Sequence, residues 1–174
     1  RLSVPDRKDI LQGKVCHTSL LQYIPLLDKV YKALLPVMPF FIQSMRVRPS
    51  DLYLSSSHAI AKGFRMPAGK LHICYCHTPM RYAWYLYEDY ISGFGFFKKK
   101  LIEWLIPQIQ QWDLRSARKV DYFIANSRHI QHQIRSIYGR ESVVIYPPVQ
   151  TEKFTLNPNP RQDFYLAVGR FVPY

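Results

Sequence analysis

Three short stretches of the sequence place hydroxyl and histidine side chains, and in two cases arginine, directly after an apolar run. They are SSSH at 55–58, CHTPMR at 76–81 and NSRH at 126–129. The apolar runs are typical of strands that are covered on both faces in a parallel sheet. Because a parallel sheet places its binding residues at the carboxyl ends of its strands, the three stretches predict one shared crevice. Hydroxyl groups and helix N-termini in such a crevice are suited to phosphate or sugar oxygens.

His77 is the first candidate for contact with a ligand. Along a strand, side chains alternate between the two faces, so His72, Cys74 and Cys76 share one face and His77 points to the other. The residues alone leave two interpretations open, a hydrogen-bonded structural histidine or a hydrogen-bond donor in the active site. Arg81 is a second candidate, because it follows the same strand end.

The cysteines do not predict a metal site. HxCxC at 72–76 lacks the CxxC spacing of structural zinc sites, and no second cluster of ligands follows it. We therefore interpret Cys74 and Cys76 as small apolar core residues. Together with Cys16 they make an odd number without disulfide spacing, which is typical of reduced thiols in the cytoplasm.

Strands and helices alternate along the chain. Strands are predicted at 51–57, 70–76, 121–127 and 142–149, and again from 164. Helices are predicted between them, at 97–119 and from 128 to a stop at Gly139, with Asn126 or Ser127 as the N-cap of the second. Earlier in the chain, Pro36 and Pro39 break a helical pattern into two segments. The alternation predicts an α/β fold, a Rossmann-like parallel sheet with helices on both faces.

The net charge of +12 favours a polyanionic partner: nucleic acid, anionic lipid or a phosphorylated small molecule. Charge alone does not choose among them. Lys98–Lys100 lie beside Phe96 and Phe97, which is consistent with a solvated helix start or with contact to a membrane surface. No apolar run reaches the roughly 20 residues of a spanning helix, and no signal peptide opens the chain.

Four segments resemble one known family. They are DLYLSSSHAIAKGF, KLHICYCHTPMRYAW, VDYFIANSRHIQHQIRSIYGRESVVIYPPVQTEKF and the terminal YLAVGRFVPY. Taken in this order, they are similar to a family 4 retaining glycosyltransferase of the GT-B fold. The subgroup they most resemble is the bacterial mannosyltransferases of surface polysaccharide synthesis. This resemblance covers nearly the whole chain from about Leu20.

The resemblance implies a division of the chain. Residues 1–149 would be part of the N-terminal, acceptor-binding domain, 150–163 the interdomain linker, and 164–174 the first strand of a truncated nucleotide-sugar-binding domain. The chain begins at Arg1 without Met and would stop before the acidic E-x7-E motif that holds the donor. We therefore expect a fragment of a longer enzyme that is inactive by itself.

The resemblance also implies roles for six residues. His77 would contact the transferred sugar or its phosphate and stabilise the transition state. Gly169 and Arg170 would bind the donor diphosphate, for which a bidentate arginine is suited. The acceptor side would be bordered by Ser57, His58 and Arg81. No metal and no cofactor are expected, since the nucleotide sugar is a substrate.

The implied reaction moves a sugar, mannose from GDP-mannose, to a hydroxyl of a lipid-linked or polysaccharide acceptor with retention of configuration. The basic surface would meet the anionic inner face of the cell membrane, as a cytoplasmic peripheral protein. Two other readings stay open, a basic nucleic-acid-binding module and a non-catalytic scaffold with a glycosyltransferase-like fold. The first explains the charge but not the hydroxyl-rich strand ends.

Overall fold

The computed structural model describes residues 12–23, 34–91, 93–155, 163–165 and 167–169. The strands are β1 (Leu52–Ser57), β2 (Leu71–Cys76), β3 (Tyr122–Ala125) and β4 (Ser142–Val144). The α-helices are α1 (Met38–Ser44), α2 (Arg81–Trp84), α3 (Tyr87–Ile91), α4 (Phe96–Arg118) and α5 (Arg128–Tyr138). Single 3-10 turns occur at Leu20–Tyr23, Leu35–Val37, Ala61–Gly63 and Thr151–Lys153. Nothing in the described ranges is a helix long and apolar enough to cross a bilayer.

The four strands form one parallel sheet in the order β1-β2-β3-β4. The register brings the last residues of neighbouring strands side by side: Ser57 pairs with Cys76, Cys76 with Ala125, and Ala125 with Val144. We call this row the carboxyl edge of the sheet. The prediction of a Rossmann-like parallel α/β sheet is therefore confirmed.

One face of the sheet carries the core. Cys74 and Cys76 of β2 and Phe123 and Ala125 of β3 pack against Ala117 at the end of α4 and against the apolar stripe of α5. That stripe follows helical spacing, with Ile130 and Ile134 buried four residues apart. The small side chains on β2 and β3 let the helices approach the sheet closely.

The opposite face of the sheet is apolar but exposed in the part of the chain that the structure describes. Leu54, Leu71, Tyr122 and Val143 all point to this face and remain solvent-accessible. The described helices that contribute to the core lie on the other side. The continuous apolar strands led to the expectation of helices on both faces. Within the described residues, helices cover only the core face of the sheet.

The local signals around α5 are confirmed. Ser127 is the N-cap, since its hydroxyl accepts the backbone N–H of Ile130 at 3.2 Å. Gly139 ends the helix with φ of 61°, a left-handed conformation that glycine adopts without a Cβ penalty. At the other end of the chain, Pro36 lies in a 3-10 turn and Pro39 in the first turn of α1.

The strand expected from residue 164 is not formed at its described positions, which are 164, 165 and 167–169. Phe164, Tyr165 and Val168 are exposed there. A strand requires a partner for its backbone N–H and C=O groups, and β1 to β4 do not pair with this segment. An apolar sequence pattern does not form a strand without a neighbouring strand that pairs with it.

Gly63 marks a tight contact between the turn after β1 and α4. A Cβ at this position would overlap Cζ2 and Cη2 of the Trp112 ring. We expect Gly63→Ala to lower the free energy of unfolding by about 1–3 kcal/mol, because the indole must move in a packed site. Urea unfolding followed by circular dichroism measures this change. Gly93→Ala is the control, since a Cβ there meets nothing within 4 Å, and an equal loss in both variants would contradict the argument.

Candidate active site

The loops that leave the carboxyl edge are tied to one another by hydrogen bonds. The backbone N–H of His77 donates to the carbonyl of Ser57 at 2.8 Å, and that of Ile145 donates to the carbonyl of Ala125 at 3.0 Å. The side-chain amide of Asn126 donates to the carbonyl of His77 at 3.2 Å. The residues that follow β1, β2 and β3 therefore meet at one place, as their strand order requires.

The imidazole of His77 lies on the exposed side of this edge. Its Nε2 is 2.8 Å from Oγ of Ser56, and its ring packs edge-on against Tyr75 with centroids 5.1 Å apart. Tyr75 is itself held, since its hydroxyl donates to the carbonyl of Ile145 at 3.0 Å. His77 is exposed although its backbone is fixed on both sides.

This geometry leaves the imidazole of His77 accessible for a hydrogen bond to a ligand. A serine hydroxyl can donate or accept, so Ser56 can hold either neutral tautomer or the imidazolium of His77. The second ring nitrogen, Nδ1, has no hydrogen-bond partner among the described residues, and His77 is exposed. A positioned histidine of this kind can donate a hydrogen bond to a sugar hydroxyl or to a phosphate oxygen.

A buried polar cluster fixes the loops beneath the edge. Lys62 and Asp113 form an ion pair with exposed fractions of 2% and 0%. Lys62 also donates to the carbonyl of Ala59, in the loop after β1, at 3.2 Å. Asp113 accepts Trp84 Nε1 from α2 and the Tyr138 hydroxyl from α5, each at 2.9 Å. One carboxylate on α4 therefore joins the elements that follow β1, β2 and β3.

A scan against protein-family models matches residues 9–153 to Glycosyltransferase Family 4. This match spans most of the chain. The chain belongs to Glycosyltransferase Family 4. Neither the curated proteins nor the solved structures give a match to it.

Membership in this family defines the general chemistry of the site. The protein is a glycosyltransferase, which takes a nucleotide-sugar donor and transfers its sugar to an acceptor. The matched region includes β1 to β4 and the whole carboxyl edge, so the cluster around His77 lies inside the family domain. The predicted family is thus confirmed, although the terminal segment YLAVGRFVPY lies outside the matched residues.

The three residues predicted to border the acceptor side in this family 4 glycosyltransferase are placed differently from one another. The side chain of Ser57 is buried on the core face, where its hydroxyl donates to the carbonyl of Ala59 at 3.4 Å. His58 and Arg81 are exposed, in the loop after β1 and at the start of α2. Within the described ranges, the side chains of His58 and Arg81 make no hydrogen bond or ion pair. The structure thus brings Ser57 to His77 through its backbone carbonyl alone.

The donor-side residues lie at the far end of the chain. Gly169 is exposed, and a Cβ built on it would meet nothing within 4 Å. Arg170 lies outside the described residues. Their predicted contact with the donor diphosphate therefore stays a prediction.

Three residues of the cluster were missed from the sequence. Ser56, Tyr75 and Asn126 surround His77. Ser56 and Asn126 lie in the stretches predicted to form the crevice, but the sequence singled out Ser57 as a site residue and gave Asn126 an individual role only as a helix cap. The signal that could have found Ser56 is the two-residue period. In a parallel pair in register, Ser56 lies opposite Tyr75 and shares the face of Tyr75 and His77.

The two thiols of β2 behave as core groups, which confirms that interpretation. Cys74 and Cys76 are free and buried. Burial raises the pKa of both, and that of Cys76 rises to about 12, so the thiols remain protonated at neutral pH. In the described part of the chain, no group of three or more His, Cys, Asp or Glu side chains could hold a metal ion.

His72, the histidine within β2, leads to a prediction about the pH dependence of stability. His72 is buried and its Nε2 lies 2.8 Å from Oγ of Ser55. Desolvation lowers the pKa of His72 below 6.5, against the opposing effects of the Asp121 carboxylate and a hydrogen bond to the Lys119 backbone. The unfolded chain therefore binds a proton near pH 6.5 while the folded chain does not. The stability contribution is complete above pH 6.5 and is lost as the pH falls below it.

We expect His72→Gln to remove this dependence. Between pH 7.5 and pH 5.5, the wild type should lose more of its unfolding free energy than the variant, by at most about 1.4 kcal/mol, which is the limit for one proton over the pH unit below 6.5. Urea unfolding at both pH values measures the difference. His132→Gln, an exposed histidine on α5, should keep the dependence of the wild type. Parallel pH profiles of wild type and His72→Gln would show that His72 does not titrate differently on unfolding.

Proposed function

We propose that the protein transfers mannose from GDP-mannose to a hydroxyl of a lipid-linked or polysaccharide acceptor, with retention of the anomeric configuration. The observation that supports this proposal is an exposed, backbone-fixed His77 at the carboxyl edge of a family 4 domain. The choice of mannose and of retention rests on the resemblance of the sequence segments to the bacterial mannosyltransferases.

His77 is the proposed catalytic residue. It would donate a hydrogen bond to the transferred sugar or its phosphate as negative charge gathers on the departing diphosphate. Ser56 would orient the ring, since its Oγ is 2.8 Å from Nε2. His58 and Arg81 border the acceptor side as exposed groups, and Ser57 contributes its carbonyl to the position of His77. Positioning and hydrogen bonding would supply the catalysis, without a metal or cofactor.

The donor would be bound from the C-terminal part of the chain. We propose residues 1–149 as part of the acceptor-binding domain, 150–163 as the linker and 164–174 as the start of the nucleotide-sugar-binding domain. In this arrangement Gly169 and Arg170 contact the donor diphosphate, and the arginine pairs with two of its oxygens. The protein would work at the inner face of the cell membrane, where a lipid-linked acceptor is found.

The test is a transfer assay with the full-length protein that includes this sequence. Radiolabelled GDP-mannose is incubated with the protein and membranes, and label is followed into the lipid and polysaccharide fractions. We expect transfer from GDP-mannose above a panel of UDP sugars, with an equatorial anomeric proton in the product by NMR, which is the α configuration of the donor. Transfer from a UDP sugar would correct the donor, an inverted product would correct the mechanism, and no transfer from any nucleotide sugar would refute the proposal.

A further inference from the structure

The N-terminal part of α4 exposes an apolar stripe. Phe97, Leu101 and Trp104 follow at spacings of four and three residues, which places them on one face of the helix. Their exposed fractions are 87%, 56% and 65%, and the neighbouring Phe96 is 69% exposed. We call these four residues the α4 stripe. An exposed group of large apolar side chains on one helix face indicates an interaction surface.

The lysines beside the α4 stripe destabilise the first turns of the helix. Lys98, Lys99 and Lys100 lie in the first turns of α4, where the helix dipole disfavours positive charge. No acidic residue lies in the first turn, and the N-cap Gly95 offers no side-chain hydrogen bond. Lys100 has an ion pair with Glu103 at 3.2 Å, but Lys98 and Lys99 have no such partner among the described residues. Such a helix start is poorly suited to water and well suited to an anionic surface.

The stripe lies toward the end of the molecule that holds the carboxyl edge of the sheet. Gln110 and Asp113 of α4 contact α2, which directly follows the carboxyl edge. Along the helix axis, Trp104 lies about 9 Å before Gln110, and Phe97 lies about 20 Å before Gln110. From Gln110 the C-terminal part of α4 leads to the start of β3. The N-terminal part of α4 extends past α2 in the opposite direction. A surface that binds the stripe therefore lies beyond α2, at the carboxyl-edge end of the sheet.

We propose that the α4 stripe docks on an anionic lipid bilayer, with Phe97, Leu101 and Trp104 in the interfacial region and Lys98 and Lys99 against the headgroups. Charge complementarity selects this occupant, because apolar side chains flanked by lysines match the two layers of such a surface. Tryptophan is also well suited to the level of the headgroups. The inference rests on the proposed function only in that a lipid-linked acceptor gives the docking its purpose.

Vesicle sedimentation with the full-length protein tests the proposal without donor or acceptor. We expect binding to vesicles of phosphatidylcholine with phosphatidylglycerol, and weaker binding to phosphatidylcholine alone. Phe97→Ser/Leu101→Ser/Trp104→Ser should lower the partition coefficient at least about tenfold, since three apolar groups no longer leave water. Lys98→Gln/Lys99→Gln should lower it roughly 30-fold on the anionic vesicles only. Phe154→Ser is the control, an exposed phenylalanine away from α4 that should bind as the wild type does.

Trp104 supplies a second readout. Brominated lipids should quench part of the tryptophan fluorescence of the wild type, and Trp104→Phe should remove that quenching while binding persists. Equal vesicle binding by the wild type and the stripe variant would overturn the proposal. The proposal would also be overturned if vesicles fail to bind and the stripe variant instead abolishes a concentration-dependent dimer or a complex with oligonucleotides. Vesicle binding without sugar transfer would instead refute the proposed function and leave the docking surface in place.

Discussion

Replacement of Asp113 by alanine is expected to lower the free energy of unfolding by about 3–5 kcal/mol. The variant leaves Lys62 buried, at 2% exposure, without its carboxylate. It also removes the acceptor of Trp84 Nε1 and of the Tyr138 hydroxyl. A buried charge without its partner is more costly than the ion pair is favourable, so the loss exceeds the net contribution of the pair. Urea unfolding at pH 7 measures it.

Two further variants make this prediction specific. Glu103→Ala on the same helix removes an exposed ion pair with Lys100 and should change the unfolding free energy by no more than about 0.5 kcal/mol. Lys62→Met/Asp113→Leu removes both charges and should recover part of the loss, although Trp84 and Tyr138 still lack their acceptor. If Asp113→Ala loses no more unfolding free energy than Glu103→Ala, the buried cluster around Lys62 and Asp113 does not stabilise the fold.

Replacement of His77 by alanine is expected to lower kcat/KM for sugar transfer by roughly 100–1,000-fold in the full-length enzyme. The imidazole is exposed, so its removal creates no cavity, and the unfolding free energy should change by no more than about 0.5 kcal/mol. This combination separates a catalytic role from a structural one. A structural histidine would lose stability first and activity in proportion to the folded fraction.

Two comparisons sharpen the measurement of His77. Ser56→Ala should cost about 5–10-fold in kcat/KM, since it removes one hydrogen bond that orients the ring at Nε2. His132→Ala on α5 is the matched control, an exposed histidine outside the cluster that should keep the activity of the wild type. Activity of His77→Ala within a factor of two of the wild type would remove the catalytic assignment.

The sequence by itself determined the elements that local chemistry controls. The two-residue period of β2 separated His72, Cys74 and Cys76 from His77, and the structure places the first three in the core and the last at the surface. The cap and stop signals of α5 also predicted its limits, because Ser127 and Gly139 act on backbone groups within three or four residues. The alternation of strands and helices was sufficient for a parallel α/β sheet.

Only the tertiary structure decided which side chains meet. The register of β1 on β2 brings Ser56, and not Ser57, to the imidazole of His77, and a shift of one residue would exchange them. The partner of Asp113 is Lys62, 51 positions away, and no local pattern connects the two. Likewise, the apolar residues of α4 all favour burial in the sequence, yet Ile106 and Ile109 are buried, Ile109 against Ala83 of α2, whereas Phe97 is exposed. Local propensity acts over a few residues, whereas contacts across the sheet depend on how whole elements pack.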